Sequence, residues 1–375
     1  MPLGKMIRLE YGKPLPPVSR DPGGRFAVYG ANGIKDRANI CYRSEPSIIV
    51  GRKGSAGEVT LTEEAFWPLD VTYFVEFDRR RHDLKFLYYL LVSLDLPRLA
   101  KGVKPGINRE EVYAEVVPAP PFAEQQRIVT ILDEAFEEIA TATANAEKKL
   151  ANTRELFDGY VDRVFETLSP KITQVRLQEA CMDITVGHVG PMASFYQRTG
   201  VPFLRSQNIK PLELDLSNVA FIDEEFDAKL AKSRLAPGDV AIVRTGYPGT
   251  AAVIPLSLQA ANCANLVIAR PGPRLSPDFL AFFLNSRFGR SAVSGNLTGA
   301  AQKHFNVTAA KQVFMPLPEL PLQETIIKRA VEVREQTKSL ESIYNREIGF
   351  LTKLRKSILA RAFSGELTSS DVLGA

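Results

Sequence analysis

Two long segments of the chain place apolar or small residues mostly at alternating steps of four and three, with polar residues between them. In the segment from Ala123 to Thr167 these positions are Ile128, Leu132, Ala135, Ile139, Ala142, Ala146, Leu150, Phe157, Tyr160 and Val164. In the segment from Leu322 to Phe363 they are Ile326, Ala330, Val333, Thr337, Leu340, Tyr344, Leu351, Leu354, Ile358 and Ala362. Such steps are typical of a coiled-coil seam, so the pattern predicts two helices of about 42 to 45 residues. At 1.5 Å per residue each would extend roughly 60 to 67 Å, beyond any core that its own domain could offer.

Proline clusters precede both predicted helices. The first reads PAPPFAEQQ at residues 118–126, and the second reads PLPELPLQE at residues 316–324. Proline favours an extended approach and is tolerated at the start of a helix, so each cluster marks a boundary between a domain and a helix. Glu124 and Glu324 correspond at these entrances. We interpret both as capping residues rather than catalytic groups, because a carboxylate there meets the positive end of the helix dipole.

The regions before the two helices repeat one another in sequence. SIIVGRKGSAGEV aligns with VAIVRTGYPGTAAV at an offset of 192, which pairs Arg52 with Arg244. FLYYLLVS aligns with FLAFFLNS at an offset of 193, and GVKPGINREEVYAEVVPAP aligns with TGAAQKHFNVTAAKQVFMPLP at 198. IRLE at residues 7–10 pairs with VRLQ at 175–178, an offset of only 168. The second copy is therefore expected to hold about 24 additional residues before its glycine loop.

The duplication predicts four segments. They are a first domain (1–118), a central helix (119–170), a second domain (171–315) and a distal helix (316–375). A chain of 375 residues exceeds the size at which one core usually stops growing, which agrees with more than one domain. The net charge of +4 divides over these segments as +3, −5, +5 and +1. Positive charge thus lies in the two domains, a distribution that suits two modules facing a polyanion.

The stretch GRKGSAG at residues 51–57 follows the β-branched run SIIV and looks like a phosphate-binding loop. It lacks the lysine and hydroxyl of the GxxxxGK[ST] pattern, and its GxxGxxG spacing is not the dinucleotide fingerprint. APPF places Ala119 where an adenine methyltransferase needs a residue that bonds the target amino group. We therefore interpret the glycines as parts of a tight turn that follows a strand in both copies.

Cysteine and histidine residues give no sign of a disulfide framework or a metal site. The three cysteines and the three histidines are isolated from one another in the sequence. No arrangement of Ser, His and Asp and no nuclease-like acidic cluster stands out. We therefore expect no catalytic residue, no metal ligand and no cofactor in this chain, which has the character of a binding protein.

Two motifs carry a resemblance to a known family. PPFAEQQRIVTILDEAF (120–136) and LRKSILARAFSGEL (354–367) resemble conserved regions of the specificity subunits of type I restriction-modification systems. The alternation of two globular modules with two long helices is similar to that family over essentially the whole chain. One departure is the second helix entrance, which reads LQETIIKR rather than EQQRIV.

The resemblance implies an α+β fold with two similar α/β target recognition domains. They would be joined by two long antiparallel coiled-coil helices in a pseudo-two-fold arrangement. It implies double-stranded DNA as ligand, and two methyltransferase subunits and restriction endonuclease subunits as partners. S-adenosylmethionine, ATP and Mg²⁺ would belong to those partners. The chain would be cytoplasmic, and associated with the nucleoid when bound to DNA.

Basic and polar side chains in predicted loops are candidates to contact phosphates or base edges. In the first domain they are Tyr29, Asn32, Arg52, Lys53 and Ser55, with Lys101 and Lys104 before the helix. In the second domain they are Arg205, Gln207, Asn208, Arg244, Thr245 and Tyr247, with Gln302, Lys303 and His304 before the helix. For each of them, the alternative is an ordinary solvated side chain.

Two other classes of protein stay open. A coiled-coil scaffold without a nucleic-acid role would explain the helices but not the duplicated basic modules. A self-contained modification enzyme would need a methyltransferase domain, for which the chain shows no motif. No apolar run approaches the roughly 20 residues that cross a bilayer, so no membrane association is expected.

Overall fold

The computed structural model describes residues 1–297 and 304–364. The chain divides into two compact units. The first unit consists of Met1–Glu147 and Asn345–Ala375, and the second unit is Lys148–Tyr344. Each unit thus combines one globular domain with parts of two long helices.

The first unit contains two sheets and two short helices beside the long ones. Its strands are β1 (Ile7–Tyr11), β2 (Phe26–Gly30), β3 (Gly33–Ala38), β4 (Ser47–Gly51), β5 (Val59–Thr62), β6 (Phe66–Pro68) and β7 (Thr72–Phe77). Its helices are α1 (Leu84–Ser93), α2 (Arg109–Ala114) and the beginning of α3 (Phe122–Leu168). β1, β7, β4 and β5 form an antiparallel sheet in that order, and β3, β2 and β6 form the other.

The second unit repeats this plan with additional strands. Its strands are β8 (Gln174–Arg176), β9 (Cys181–Val186), β10 (Val201–Leu204), β11 (Ile209–Lys210), β12 (Glu213–Leu214), β13 (Ala220–Ile222), β14 (Arg234–Leu235), β15 (Val240–Val243), β16 (Ala251–Val253), β17 (Ala261–Cys263), β18 (Leu266–Pro271) and β19 (Phe314–Pro316). Its helices are α4 (Leu177–Ala180), α5 (Glu224–Lys229), α6 (Pro277–Asn285), α7 (Arg287–Gly295), α8 (Val307–Lys311) and most of α9 (Leu320–Ser364).

The sheet β9-β18-β15-β16 of the second unit has the same strand order and directions as β1-β7-β4-β5 of the first. β9 is thus the counterpart of β1, so the predicted pairing of IRLE with VRLQ is wrong. The amide of Leu3 donates to the carbonyl of Glu115, and the amide of Leu177 donates to that of Val313, both at 2.8 Å. Because these two hydrogen bonds are equivalent, they align the two copies at an offset of 174 residues in this region, which pairs Leu3 with Leu177. The second copy therefore holds 18 extra residues before its glycine turn, not 24.

Two long helices in a chain that also contains sheets confirm the predicted α+β class. In each unit, the beginning of one long helix packs against the end of the other. In the first unit, the Arg355 guanidinium of α9 lies 4.9 Å from the ring centroid of Phe136 in α3. In the second unit, the Arg334 guanidinium of α9 lies 6.0 Å from the ring centroid of Phe157 in α3. The same contact recurs in both units, with the arginine on α9 and the phenylalanine on α3.

The seam in α3 departs from the predicted positions near the end of the helix. Tyr160 and Val164 are only half-buried, while Val161 and Phe165 are fully buried. The reason is that the second domain presents α6 to this part of α3: the Phe165 ring lies 5.6 Å from that of Phe279. In α9, Leu340 was predicted in the seam but is exposed.

The apolar cores of the two units are built from the same kinds of elements. In the first unit, α1, the sheet and the ends of the long helices enclose one apolar cluster that includes Ile128, Leu132 and Leu359. Its counterpart in the second unit includes Val161, Phe165 and the phenylalanines of α6. Within residues 1–297 and 304–364, no helix combines the length and apolar character that a membrane span requires.

Candidate nucleic-acid interface

GRKGSAG forms a tight turn between β4 and β5. The amide of Gly57 donates to the carbonyl of Gly51 at 2.8 Å, and the amide of Gly51 donates to the carbonyl of Glu58 at 2.8 Å. Gly54 and Gly57 have φ angles of 82° and 89°, which L side chains rarely adopt. A Cβ on Gly57 would also lie 2.3 Å from the backbone nitrogen of Pro97. The glycines are therefore required by the backbone of the turn, as the sequence predicted.

The same turn joins β15 and β16 in the second unit. The amide of Gly249 donates to the carbonyl of Val243 at 3.0 Å, and the amide of Val243 donates to that of Thr250 at 2.8 Å. Gly246 and Gly249 have φ angles of 88° and 92°. Both units thus present the central side chains of this turn on an equivalent backbone.

A second loop, the segment before each long helix, is bonded to this turn. The amide of Ile107 donates to the carbonyl of Arg52, and the amide of Phe305 donates to that of Arg244, both at 3.1 Å. In the first unit, the amide of Gly54 also donates to the carbonyl of Pro105 at 2.9 Å. The two loops are distant in sequence but form one surface, which we call the turn surface of each unit.

Most of the DNA-contact candidates predicted in the first domain lie on the turn surface of the first unit. Lys53, Ser55 and Lys104 are exposed on it, and the Lys101 ammonium forms an ion pair with Glu111 at 2.5 Å. Arg52 is half-buried and donates through Nε and Nη2 to the carbonyl of Asp70, at 3.0 and 2.5 Å.

Two residues that the sequence analysis missed complete this surface. Tyr11, 47% exposed at the end of β1, has the Arg52 guanidinium 5.3 Å from its ring centroid. The Arg109 guanidinium lies 5.4 Å from the same ring. Each guanidinium is attracted by the π electrons of the Tyr11 ring, which offsets part of the repulsion between the two positive charges. No sequence signal links Tyr11 to Arg109, because 98 residues separate them and only the fold brings them together.

Tyr73 lies beneath this cluster. Burial, followed by the neighbouring Tyr11 hydroxyl, raises the pKa of Tyr73 to about 12, although Arg52 and Arg109 act in the opposite direction. Tyr73 therefore stays protonated at neutral pH, and the two guanidinium charges are not neutralised by a phenolate. The cluster keeps its positive charge.

The two remaining candidates of the first unit lie on the β2–β3 hairpin. Asn32 is exposed in the turn between the strands. Tyr29 is buried, and its ring packs edge-on against Phe66 with 5.9 Å between centroids. Its side chain belongs to a small core cluster rather than to the surface.

In the second unit, the turn surface carries different side chains. Tyr247 is 84% exposed, and Thr245 is half-buried beside it. Arg244 is half-buried, and its Nε finds no acceptor among the described residues. His304 is half-buried next to Phe305 in the adjoining loop. Gln302 and Lys303 lie outside the described residues.

Three further candidates surround the short helical turn after β10. The Arg205 guanidinium donates to the carbonyl of Asn218 at 3.0 Å and lies 5.5 Å from the Tyr196 ring centroid, and Gln207 is exposed. Asn208 is buried: its side chain accepts from the amide of Arg205 at 3.0 Å and donates to the carbonyl of Asp215 at 2.9 Å. The hydrogen bonds of Asn208 hold this loop together.

The strand registers show how the two surfaces differ. Tyr11 pairs with Tyr73 in the first unit, and Val186 pairs with Val267 at the equivalent place in the second. Arg109 likewise corresponds to Val307 at the offset of 198. The arginine–tyrosine cluster is thus specific to the first unit, while the backbone beneath it is common to both. Among residues 1–297 and 304–364, no group of His, Cys, Asp and Glu is arranged to hold a metal ion.

Comparison with known proteins finds similarity to one family. Residues 17–150 match the family model described as the type I restriction modification DNA specificity domain. The chain is 22% identical over 331 residues to the EcoBI specificity subunit of Escherichia coli, covering 79% of this chain and 68% of that protein. It is 25% identical over 275 residues to the EcoKI specificity subunit of Escherichia coli strain K12, covering 68% of this chain and 58% of that protein.

Solved structures show the same fold. One chain from a study of complex assembly and conformational transition of the type I R-M system matches with a TM-score of 0.76 and 20% identity, covering 98% of this chain and 97% of that one. The HsdS subunit from Thermoanaerobacter tengcongensis matches with a TM-score of 0.59 and 20% identity, covering 98% of this chain and 96% of that one.

The chain is therefore similar to specificity subunits of type I restriction-modification systems, a similarity that the two sequence motifs also indicated. Both of these relatives are named as specificity subunits of type I restriction enzymes. The family model that matches residues 17–150 describes DNA specificity.

Proposed function

We propose that this chain selects the DNA sequence acted on by a type I restriction-modification complex, with each unit reading one half of a divided site. The observation that carries the proposal is the turn surface itself. Both units build it from the same hydrogen bonds, yet present Lys-Gly-Ser in one and Thr-Gly-Tyr in the other. Two domains that recognise different half-sites require a common backbone that carries different side chains.

In the first unit, the positive surface suits contacts to phosphates. Four basic side chains lie on or beside the two loops of this surface: Arg52, Lys53, Lys104 and Arg109. The ring of Tyr11 attracts the guanidinium groups of Arg52 and Arg109. Phosphate contacts position a protein on the duplex, while exposed Asn32 and Ser55 have the chemistry to reach base edges.

In the second unit, the proposed contacts are less basic. Arg244, Thr245 and Tyr247 lie in the turn, and His304 lies in the adjoining loop. Arg205 and Gln207 lie in the loop after β10. We leave out Tyr29 and Asn208, because their side chains are used within the fold. The recognition domains would correspond to residues 1–118 and 171–315.

The long helices, residues 119–170 and 316–375, would set the spacer between the half-sites and carry the partners. In the second unit, Leu156 in α3 and Leu340 and Ile343 in α9 are exposed apolar side chains. Exposed apolar side chains on a helix are suited to packing against helices of another protein. Two methyltransferase subunits would dock on the frame and restriction endonuclease subunits would join them. S-adenosylmethionine, ATP and Mg²⁺ would be bound by those partners.

The proposal is tested by mapping methylated sites in the genome of cells that express the chain with methyltransferase subunits. We expect a divided site with a fixed spacer, absent from cells without the chain. Asn32→Ala should relax one half-site and Tyr247→Ala the other. A coiled-coil scaffold without DNA recognition would leave the methylation pattern unchanged when the chain is removed, and methylation by the purified chain alone would make it an enzyme.

A further inference from the structure

An apolar side chain lies at the tip of one loop of the first turn surface. Val103 belongs to the loop of residues 101–106 and is 104% exposed, as are most of its neighbours in that loop. A side chain this exposed buries no area in the folded domain, so the core does not explain its place in the sequence. Single exposed apolar residues are common on protein surfaces, and the exposure alone points to no ligand. The position of Val103 does.

The loop that carries Val103 is closed at its base and anchored to the glycine turn. The amide of Lys101 donates to the carbonyl of Gly106 at 3.0 Å, and the amide of Gly106 donates back to the carbonyl of Lys101 at 3.1 Å. Pro105 restricts the backbone within the loop, and its carbonyl accepts from the amide of Gly54 at 2.9 Å. Val103 therefore projects from a short turn that is held at both ends.

Positive charge surrounds this apolar tip. Lys104 follows Val103 directly and is exposed, and exposed Lys53 lies on the adjoining glycine turn. The ammonium of Lys101, at the base of the loop, is paired with the carboxylate of Glu111. Exposed cations on both loops attract a polyanion and disfavour a basic protein surface. The ligand that meets Val103 is therefore expected to be negatively charged and to present an apolar group.

Duplex DNA combines these two properties at one place. The C5 methyl group of thymine projects into the major groove, where the other base edges present hydrogen-bond donors and acceptors. The minor groove offers no methyl group, and the apolar wedges that act there are mostly longer side chains that unstack the bases. Valine is short, and its branched Cβ restricts χ1, so its two methyl groups are presented with little freedom to lose. Its form suits a thymine methyl group.

We infer that Val103 contacts the C5 methyl group of a thymine in the half-site read by the first unit. The inference rests on the proposed function and deepens it, because it names a specificity-determining residue and the base that this residue selects. Lys53 and Lys104 would hold the loop against the phosphates, a contact that carries no sequence information. Val103 would then favour a base pair with a methyl group over one without it.

The contact is tested by removing the methyl group from the DNA. Once the recognised site has been mapped, each thymine of both half-sites is replaced in turn by deoxyuridine, which lacks only the C5 methyl group. The affinity of the full-length chain, assembled with methyltransferase subunits, is measured for each duplex by fluorescence anisotropy. We expect one position at which deoxyuridine weakens binding about three- to fourfold, the effect of one apolar carbon group that is no longer buried.

A variant of the protein assigns that effect to Val103. Val103→Ala should bind the thymine and deoxyuridine duplexes equally at this position, and should bind the deoxyuridine duplex about as tightly as the wild type does. Because Val103 is fully exposed, the variant is expected to keep the stability of the wild type, which thermal unfolding checks. Val18→Ala removes a valine that is 94% exposed between β1 and β2, and serves as the control. It should keep the wild-type preference for thymine.

Several results would overturn the inference and leave the proposed function intact. They are half-sites without a thymine, thymines that can all be replaced without loss of affinity, and a thymine preference that persists in Val103→Ala. Weaker assembly of Val103→Ala with methyltransferase subunits, measured by mass photometry, would assign Val103 to a protein contact and also overturn the inference. The absence of any mapped site would instead contradict the proposed function, and the inference would fall with it.

Discussion

Gln125 and Gln323 make the same three hydrogen bonds at the beginnings of α3 and α9. The Gln125 side chain accepts from the amide of Asp83 at 2.9 Å and donates to two carbonyls, at 3.0 and 2.9 Å. The Gln323 side chain accepts from the amide of Ser276 at 2.8 Å and donates to two carbonyls, at 2.8 and 2.7 Å. Each long helix is thus bonded to the residue that caps the neighbouring domain helix.

Replacing either glutamine should destabilise its unit. The two side chains are 1% and 0% exposed, so Gln125→Ala or Gln323→Ala leaves one amide and two carbonyls without their partner. We expect the free energy of unfolding to fall by about 1–3 kcal/mol for each change, measured by urea denaturation. Gln126→Ala, at an exposed neighbouring position, should cost less than about 0.5 kcal/mol. An equal effect of all three changes would contradict this role.

Removing Arg109 should weaken DNA binding by the first unit in a salt-dependent manner. If Arg109 contacts one phosphate, Arg109→Ala reduces the slope of log affinity against log salt concentration by about 0.9. Fluorescence anisotropy with a labelled duplex of mixed sequence measures this slope. Arg8→Ala removes the same charge from an exposed position on β1 and provides the control. A slope unchanged by Arg109→Ala, or changed as much by Arg8→Ala, would exclude Arg109 as a phosphate contact.

The two glycines of the first turn should tolerate alanine differently. Gly54 has positive φ but open space around it, so Gly54→Ala should cost about 1–2 kcal/mol. Gly57 has positive φ and would place a Cβ against the backbone of Leu96 and Pro97. Gly57→Ala should therefore cost roughly 3 kcal/mol or more. Thermal unfolding of both variants measures the difference, and equal costs would show that the packing at Pro97 relaxes freely.

Lengthening both long helices should change the spacer and not the half-sites. Inserting seven residues at matched positions of α3 and α9 preserves the heptad seam while adding two turns. Genome-wide mapping of methylated sites should then show the original half-sites with a longer gap between them. A shorter insertion of the same composition, made in only one of the two helices, should abolish methylation, because the heptad seam between α3 and α9 is then lost. An altered half-site in the double insertion would contradict the proposed division between helices and domains.

The sequence by itself determined the repeating plan of this protein. Local patterns are sufficient for that: the steps of four and three predicted the long helices, and the glycines shared by both copies predicted a tight turn after a strand in each. The same local signals misplaced Tyr160 and Val164 in the seam, since periodicity does not reveal that Phe279 packs against Phe165.

Only the tertiary structure decided which side chains meet. Tyr11, Arg52 and Arg109 lie on three separate elements, and no spacing rule connects them. The match of IRLE with VRLQ was misleading because similar letters occur in different elements, whereas strand pairing assigned β9 to the place of β1. Short-range propensities act through the local backbone, but a cluster or a cavity forms where distant segments are packed together, and that depends on the whole fold.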